Sequence, residues 1–284
     1  MPKHSLLRLA SKIYNVPHLI TPQAFNVVLD YLDTRNSGIT LMIPQDDDND
    51  PEDVEPTMDN GLAVISVEGS LSYKPVMTLC GEAGTSYQSL QESVEDAIES
   101  GCSTIVFDMA SGGGEASHVF QCAENIRSMC DDANVKLIAY VDVMACSACY
   151  ALSVIADEVI VNPSSCVGSI GCVVALMDTS KAMEQAGLKR IFITSGDSKV
   201  PYAEDGTFKQ EFLDEIQEDV DELNDEFAAF VSKYTGIDVA TIQGFQAKTF
   251  NAQEALDAGL ANKVMTNKEF AQYVAALHQG ASDA

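Results

Sequence analysis

From Asn60 onward the sequence alternates short apolar runs with amphipathic stretches, and this alternation leaves few folds open to it. Leu62–Val67, Thr104–Met109, Leu137–Val141 and Val159–Val161 are continuous runs rich in β-branched residues. Runs of that length and makeup predict strands buried on both faces. Between them Tyr87–Ile98 has a helical period, as does the stretch carrying Val119, Phe120, Ala123, Ile126 and Cys130. Strand–helix alternation predicts an α/β fold with a mainly parallel sheet and crossover helices. Further strands are predicted at Cys172–Leu176 and Ile191–Thr194. A long acidic helix is predicted from Phe208 to Tyr234, with Phe208, Phe212, Ile216, Val220, Leu223, Phe227 and Phe230 as its stripe and Gly236 as its stop. Shorter helices are predicted around Val239–Phe245, Ala252–Ala258 and Glu269–Leu277.

Upstream the pattern changes. Residues 1–45 read as a small helical appendage. Thr21-Pro22 marks a helix start, and Phe25, Val28, Leu29 and Leu32 follow at helical spacing. Residues 46–59 read as an acidic linker, since the run Asp46 to Asp53 cannot bury itself. That run lacks the turn glycine of a calcium loop. The main domain is expected over 60–284. A formal net charge of -27 disfavours nucleic acid as a partner, because such a surface repels phosphates. No run of about 18 apolar residues predicts a membrane span. The N-terminus, with Lys3, Arg8 and Lys12 among leucines, lacks the features of a secretory signal, so a cytosolic protein is expected. In that setting the eight scattered cysteines read as small buried hydrophobes, not as a disulfide framework.

The chemistry-bearing residues cluster after two strands. Ser147 begins a helix directly after the Leu137–Val141 region, flanked by Cys146 and Ala148. A hydroxyl there suits a nucleophile, and it equally suits an ordinary helix cap. Ser111-Gly112-Gly113-Gly114 lies between a strand and a helix. Its exposed N–H groups, with that of Ala148, suit an oxyanion hole, and its spacing is not that of a phosphate loop. A serine nucleophile needs a base. Of the four histidines, His4, His18 and His278 are terminal, and His118 is placed but not indicated. Lys199, in Ser195-Gly-Asp-Ser-Lys199, is the other candidate. A lysine ordinarily titrates at about 10.4, so it must be desolvated to act as a base. An exposed loop charge is the bland alternative. Cys146 and Cys149 have redox-pair spacing, but no second pair completes a zinc site.

Four segments in order resemble the signal peptide peptidase A family of serine peptidases. Ser147-Ala-Cys-Tyr150 with Ala156-Asp157 is similar to its nucleophile signature. Val167-Gly-Ser-Ile-Gly171, Ser195-Gly-x-x-Lys199 and the Ala252 to Leu260 element are similar to its later motifs. Segments Asn15–Ala24, Asn60–Leu71, Met144-x-Cys-Ser147 and Lys233-Tyr-Thr-Gly236 resemble the head maturation proteases of lambda-like phages within this group. The resemblance implies a crotonase-like fold shared with Clp enzymes. It implies Ser147 as nucleophile and Lys199 as general base. The N–H groups of Gly113 and Ala148 become the oxyanion donors, with Gly114 the neighbouring choice. An extended substrate is implied to pair with the glycine turn and with Gly168–Gly171, including Ser169. No cofactor or metal is implied. The implied partners are scaffold and portal or capsid proteins and further copies of the chain, inside an immature capsid in the host cytoplasm, with no membrane and no nucleic acid. In some members the serine and lysine meet across a subunit boundary.

The chain departs from the family at two places. Ser111-Gly112-Gly113-Gly114 replaces a Ser-Pro-Gly-Gly turn, and Ala148-Cys149 replaces a Gly-Gly pair, narrowing the space beside Ser147. The phage enzymes carry a scaffold segment after the protease, and this sequence ends at Ala284, so a separate or removed scaffold is expected. A host-type peptidase and a non-enzymatic capsid component remain the rival readings, with an acyl-CoA enzyme on the same fold more distant.

Overall fold

The computed structural model describes residues 13–36, 57–59, 61–78, 81–82 and 84–282. The acidic run, the basic N-terminal stretch and Cys80 lie outside the described residues. The elements are β1 (His18–Ile20), α1 (Pro22–Asn36), β2 (Thr57–Asp59), β3 (Leu62–Glu68), β4 (Met77–Thr78), β5 (Gly81–Glu82), α2 (Tyr87–Glu99), β6 (Thr104–Ser111), β7 (Gly113–Glu115), α3 (Val119–Ala133) and β8 (Lys136–Cys146). There follow α4 (Ala148–Ser153), β9 (Glu158–Val161), β10 (Cys166–Gly168), α5 (Ser180–Gln185), a 3-10 turn (Asp197–Lys199), α6 (Gln210–Thr235), α7 (Val239–Gly244), β11 (Thr249–Asn251), α8 (Ala252–Asp257), β12 (Lys263–Val264) and α9 (Asn267–Ser282).

Strand β8 is the hinge of the sheet. It pairs in parallel with β6 along its length, with β9 through Ile138–Val141, and with β10 through Met144–Cys146. Beyond β6 lies β3, also parallel, and β12 extends β9 in parallel. Among the described strands of this sheet, β2 and β11 alone run antiparallel to their neighbours. This is an α/β fold with a mostly parallel sheet. A register shift between Met109 and Ala110 re-aims the end of β6 toward the glycines.

Both faces of the sheet are covered, as continuous apolar strands require. Along β6, Ile105, Phe107 and Met109 face the main core with α2, α3 and α4, while Val106 faces a smaller core under Val274 of α9. Helix α6 joins the main core through Phe227, Ala228, Phe230 and Val231 near its C-terminal end, and its first half is more exposed. Its stop is Gly236 at φ 73°, where a left-handed residue closes the helix.

The helix start at Thr21-Pro22 is present, with the Ala24 N–H donating to Thr21 Oγ1 at 3.3 Å. Three local expectations are corrected. Residues 172–176 form no strand in the main sheet; Val173 and Ala175 instead bridge to His18 and Tyr14. Residues 191–194 form no strand, because no sheet edge lies beside them: Ile191 is 80% and Ile193 97% exposed. The glycine segment is extended strand from Gly113, not a bare turn. No disulfide forms among the described cysteines.

A charged cluster ties β8, β9, β12 and α9 together. Lys136 Nζ lies 2.6 Å from Glu158 Oε1, Lys263 bonds the other oxygen, and the Tyr273 hydroxyl donates to Oε1 at 2.6 Å. Burial alone raises the Glu158 carboxyl, but these three donors override it and hold it at about 2. A carboxyl depressed on folding stabilises the protein above its unfolded value of about 4.3 and loses that stabilisation as pH falls toward the folded value. Glu158→Gln is therefore expected to lower stability by about 1–2 kcal/mol at pH 7, after discounting for solvent screening. Chemical denaturation at pH 7 and at pH 3 checks this: the gap between parent and variant should narrow at the lower pH.

Candidate active site

Strand β8 ends at Cys146, and α4 begins at Ala148, so Ser147 carries the whole change of direction. It does so at φ 57° and ψ -120°, a conformation that L-residues rarely adopt. Such backbone costs on the order of 1–3 kcal/mol and persists only where the surroundings dictate it. Here the Ser147 N–H donates to the Gly168 carbonyl at 2.7 Å, and the Ala151 N–H donates to the Ser147 carbonyl at 3.1 Å. Below, the Tyr150 hydroxyl donates to Leu260 O at 2.9 Å, pinning α4 from the core side. Ser147 is wholly buried, and its Oγ donates to the Gly171 carbonyl at a long 3.4 Å.

The glycines close over this serine. A Cβ on Gly113 would lie 3.0 Å from the Ser147 Cβ and 3.1 Å from the Cys146 carbonyl oxygen, so only glycine permits the approach. Gly114 is held as tightly on its other side, where a Cβ would meet the Leu71 carbonyl oxygen at 1.9 Å. The Gly113 N–H donates to Ser111 Oγ at 3.1 Å, and Ser111 Oγ donates in turn to Gly69 O at 2.6 Å. The Ala148 N–H lies in the first turn of α4, where no intrahelical acceptor exists. On the opposite side, Gly168 at φ 109° and Ser169 at φ 52° turn the chain, and the Ser169 N–H donates to Lys248 O at 2.9 Å. Gly113 and Gly168 thus both touch Ser147, and Ala148 follows it in α4, while Gly114 packs on Leu71 and Ser169 bonds Lys248.

Lys199 does not join them in one copy of the chain. It ends the 3-10 turn at Asp197–Lys199, is exposed, and its amine makes no hydrogen bond or ion pair among the described residues. The stretch leading to it, from Leu188 to Gly196, is exposed throughout. His118 stands just before α3 without a side-chain cap bond, stacked on Tyr73 with ring centroids 3.9 Å apart. Cys149 is wholly buried against Met109, and burial pushes its thiol up to about 12, which removes it as a nucleophile. Cys146 bonds the Cys166 thiol across β8 and β10, so it does not pair with Cys149. Among the described residues no group of His, Cys, Asp and Glu is placed to hold a metal, and no helix is long and apolar enough to cross a membrane.

Comparison with known proteins gives the family. Residues 130–281 match the model of peptidase family S49. Capsid assembly protease C of Escherichia phage lambda is 30% identical over 248 residues, covering 84% of this chain and 54% of that protein. Head-tail preconnector protein GP5 of Enterobacteria phage P21 is 29% identical over 211 residues, covering 72% of this chain and 41% of that protein. The chain thus spans about half the length of these curated relatives. Among solved structures, ClpP1 of Listeria monocytogenes has a TM-score of 0.43 at 11% identity, covering 71% of this chain and 91% of that one. A likeness at that score says nothing about mechanism.

The strained backbone gives a stability test of the junction. Glycine relieves a positive φ that alanine cannot, so Ser147→Gly is expected to be about 1 kcal/mol more stable than Ser147→Ala. Thermal melting of the two variants checks this; equal melting temperatures would mean that the junction is not strained.

Proposed function

This chain belongs to peptidase family S49, and we propose that it is a serine endopeptidase in which Ser147 is the nucleophile and Lys199 the general base. The observation that carries the proposal is the strained, buried serine where β8 becomes α4, with the Gly113 backbone against its side chain. Strain of this kind is kept where a side chain must be presented in one direction. Lys199 takes the Ser147 proton as Oγ attacks a peptide carbonyl. The N–H of Ala148 and one from the Gly113–Gly114 pair hold the oxyanion. The Gly113 N–H is free for this only after it leaves Ser111 Oγ. The proton passes to the leaving amine, an acyl-enzyme forms, and water deprotonated by Lys199 releases the acid.

Lys199 reaches a serine through assembly. A lysine accepts a proton only when desolvated, and Lys199 is exposed in one copy. The exposed apolar run Ile191, Phe192 and Ile193 just before it is the kind of surface that a second copy covers. The dyad then forms between subunits of a homo-oligomer, with Ser147 from one and Lys199 from the other. Gly168 and Ser169 line the far side of the peptide site. The three-part division at 45/46 and 59/60 belongs to the same proposal.

The names of the phage relatives support a role in head maturation, with scaffold, portal or capsid proteins as substrates inside the immature head. The test is intact mass spectrometry after co-expression with a candidate scaffold protein. Wild type should trim the scaffold or itself, while Ser147→Ala and Lys199→Ala should leave everything at full length. Mixing the two inactive variants should restore cleavage, since each supplies what the other lacks. Identical masses from all three forms, in a protein that still assembles, would replace the peptidase reading with a structural role.

A further inference from the structure

The groove assigned to substrate is already filled, by the chain's own N-terminal segment. Within residues 15–21 the chain turns at Asn15 and then runs extended through His18–Ile20 between two edges. On one side β1 pairs antiparallel with β7, His18 opposite Glu115, Leu19 opposite Gly114 and Ile20 opposite Gly113. The Thr21 N–H continues this contact by donating to Gly112 O at 2.9 Å. On the other side His18 exchanges two hydrogen bonds of 2.9 Å with Val173, and the Asn15 N–H donates to Ala175 O at 3.0 Å. A peptide held by backbone bonds along both edges is the pattern of strand addition. The segment's direction brings its C-terminal end to the nucleophile. A Cβ on Gly113 would meet the Leu19 carbonyl oxygen at 2.1 Å and the Ser147 Cβ at 3.0 Å, so that carbonyl and that side chain flank one point. Leu19 is wholly buried and Ile20 nearly so.

We propose that residues 15–21 are a built-in competitor that occupies the peptide groove beside Ser147 and must withdraw before a substrate enters. This rests on the assignment of that groove to substrate. The segment also shows what the groove accepts: an extended peptide with an aliphatic side chain where Leu19 lies. Three features favour occupancy over a fixed part of the sheet. Strand β1 is three residues long. Neither β1 nor β7 belongs to the main sheet; the two form a separate pair. The pairing is intramolecular, so a modest intrinsic affinity suffices to keep the groove filled, because a tethered segment acts at millimolar effective concentration.

The experiment measures binding in the full chain carrying Ser147→Ala, so that turnover plays no part. The probe is a fluorescein-labelled peptide with the sequence of residues 13–21, followed by fluorescence polarisation. Leu19→Asp in the chain places a carboxylate in a wholly buried apolar site, and His18→Pro removes the N–H that bonds Val173. Either variant should bind the probe at least about tenfold more tightly than the parent, because the competent fraction rises. The same variants with Ser147 intact should react about tenfold faster with a fluorophosphonate at Ser147. A folded variant that binds the probe no better than the parent overturns the proposal. If both variants unfold, hydrogen exchange on the parent decides. The amides of His18 and Thr21 should exchange about a hundredfold faster than that of Phe107 in β6; equal protection would make β1 a permanent part of the fold. If no form reacts with the fluorophosphonate while the probe still binds the variants, the nucleophile assignment fails and the competitor stands.

Discussion

Everything around the site depends on β8 being held on both sides. A serine at positive φ reverts to ordinary backbone unless its neighbours forbid it, and β8 leaves it no freedom. Its first half is clamped between β6 and β9, and its last three residues between β6 and β10. The bond from the Ser147 N–H to Gly168 O then fixes the point at which the chain turns. Stability in the parallel sheet therefore maintains strain at one residue. That residue is the only member of the proposed dyad that the fold of a single copy positions.

The glycines make sense from the same junction. Gly112, Gly113 and Gly114 face atoms that approach within the radius of a side chain: the side chains of Thr21 and Ala24, then the Leu19 carbonyl and the Ser147 Cβ, then the Leu71 backbone. Close approach is what they permit, more than flexibility. The start of α1 packs on the turn at Gly112 through Thr21 and Ala24.

Charge and exposure set one segment apart from the core. The core, from β3 to β9, buries nearly all its apolar side chains, and its ionic cluster at Glu158 binds the sheet to the last helix. The segment from Met177 to Lys199 does the opposite, leaving Leu188, Ile191, Phe192 and Ile193 in solvent. A chain with net charge -27 tolerates such a surface because repulsion between copies limits indiscriminate association. An apolar patch within that charge then pairs only where shapes match.

Much of this was legible in the sequence because it depends on local pattern. The runs at Leu62, Thr104, Leu137 and Val159 are strands, since a continuous β-branched run buried on both faces has little else to be. Tyr87–Glu99 and Gln210–Thr235 are helices, since their apolar stripes and stops are local. The motifs around Ser147 and Gly168 were visible as well. Tertiary structure decided what depends on a partner. The apolar runs at 172–176 and 191–194 have strand composition, but a strand exists only where an edge is free to receive it. His18–Ile20 read as part of a helical appendage, yet it found an edge at β7. A short apolar run ahead of Thr21-Pro22 was the one available signal. The distance between Ser147 and Lys199 was the least legible, because sequence motifs name residues without saying which copy of the chain brings them together.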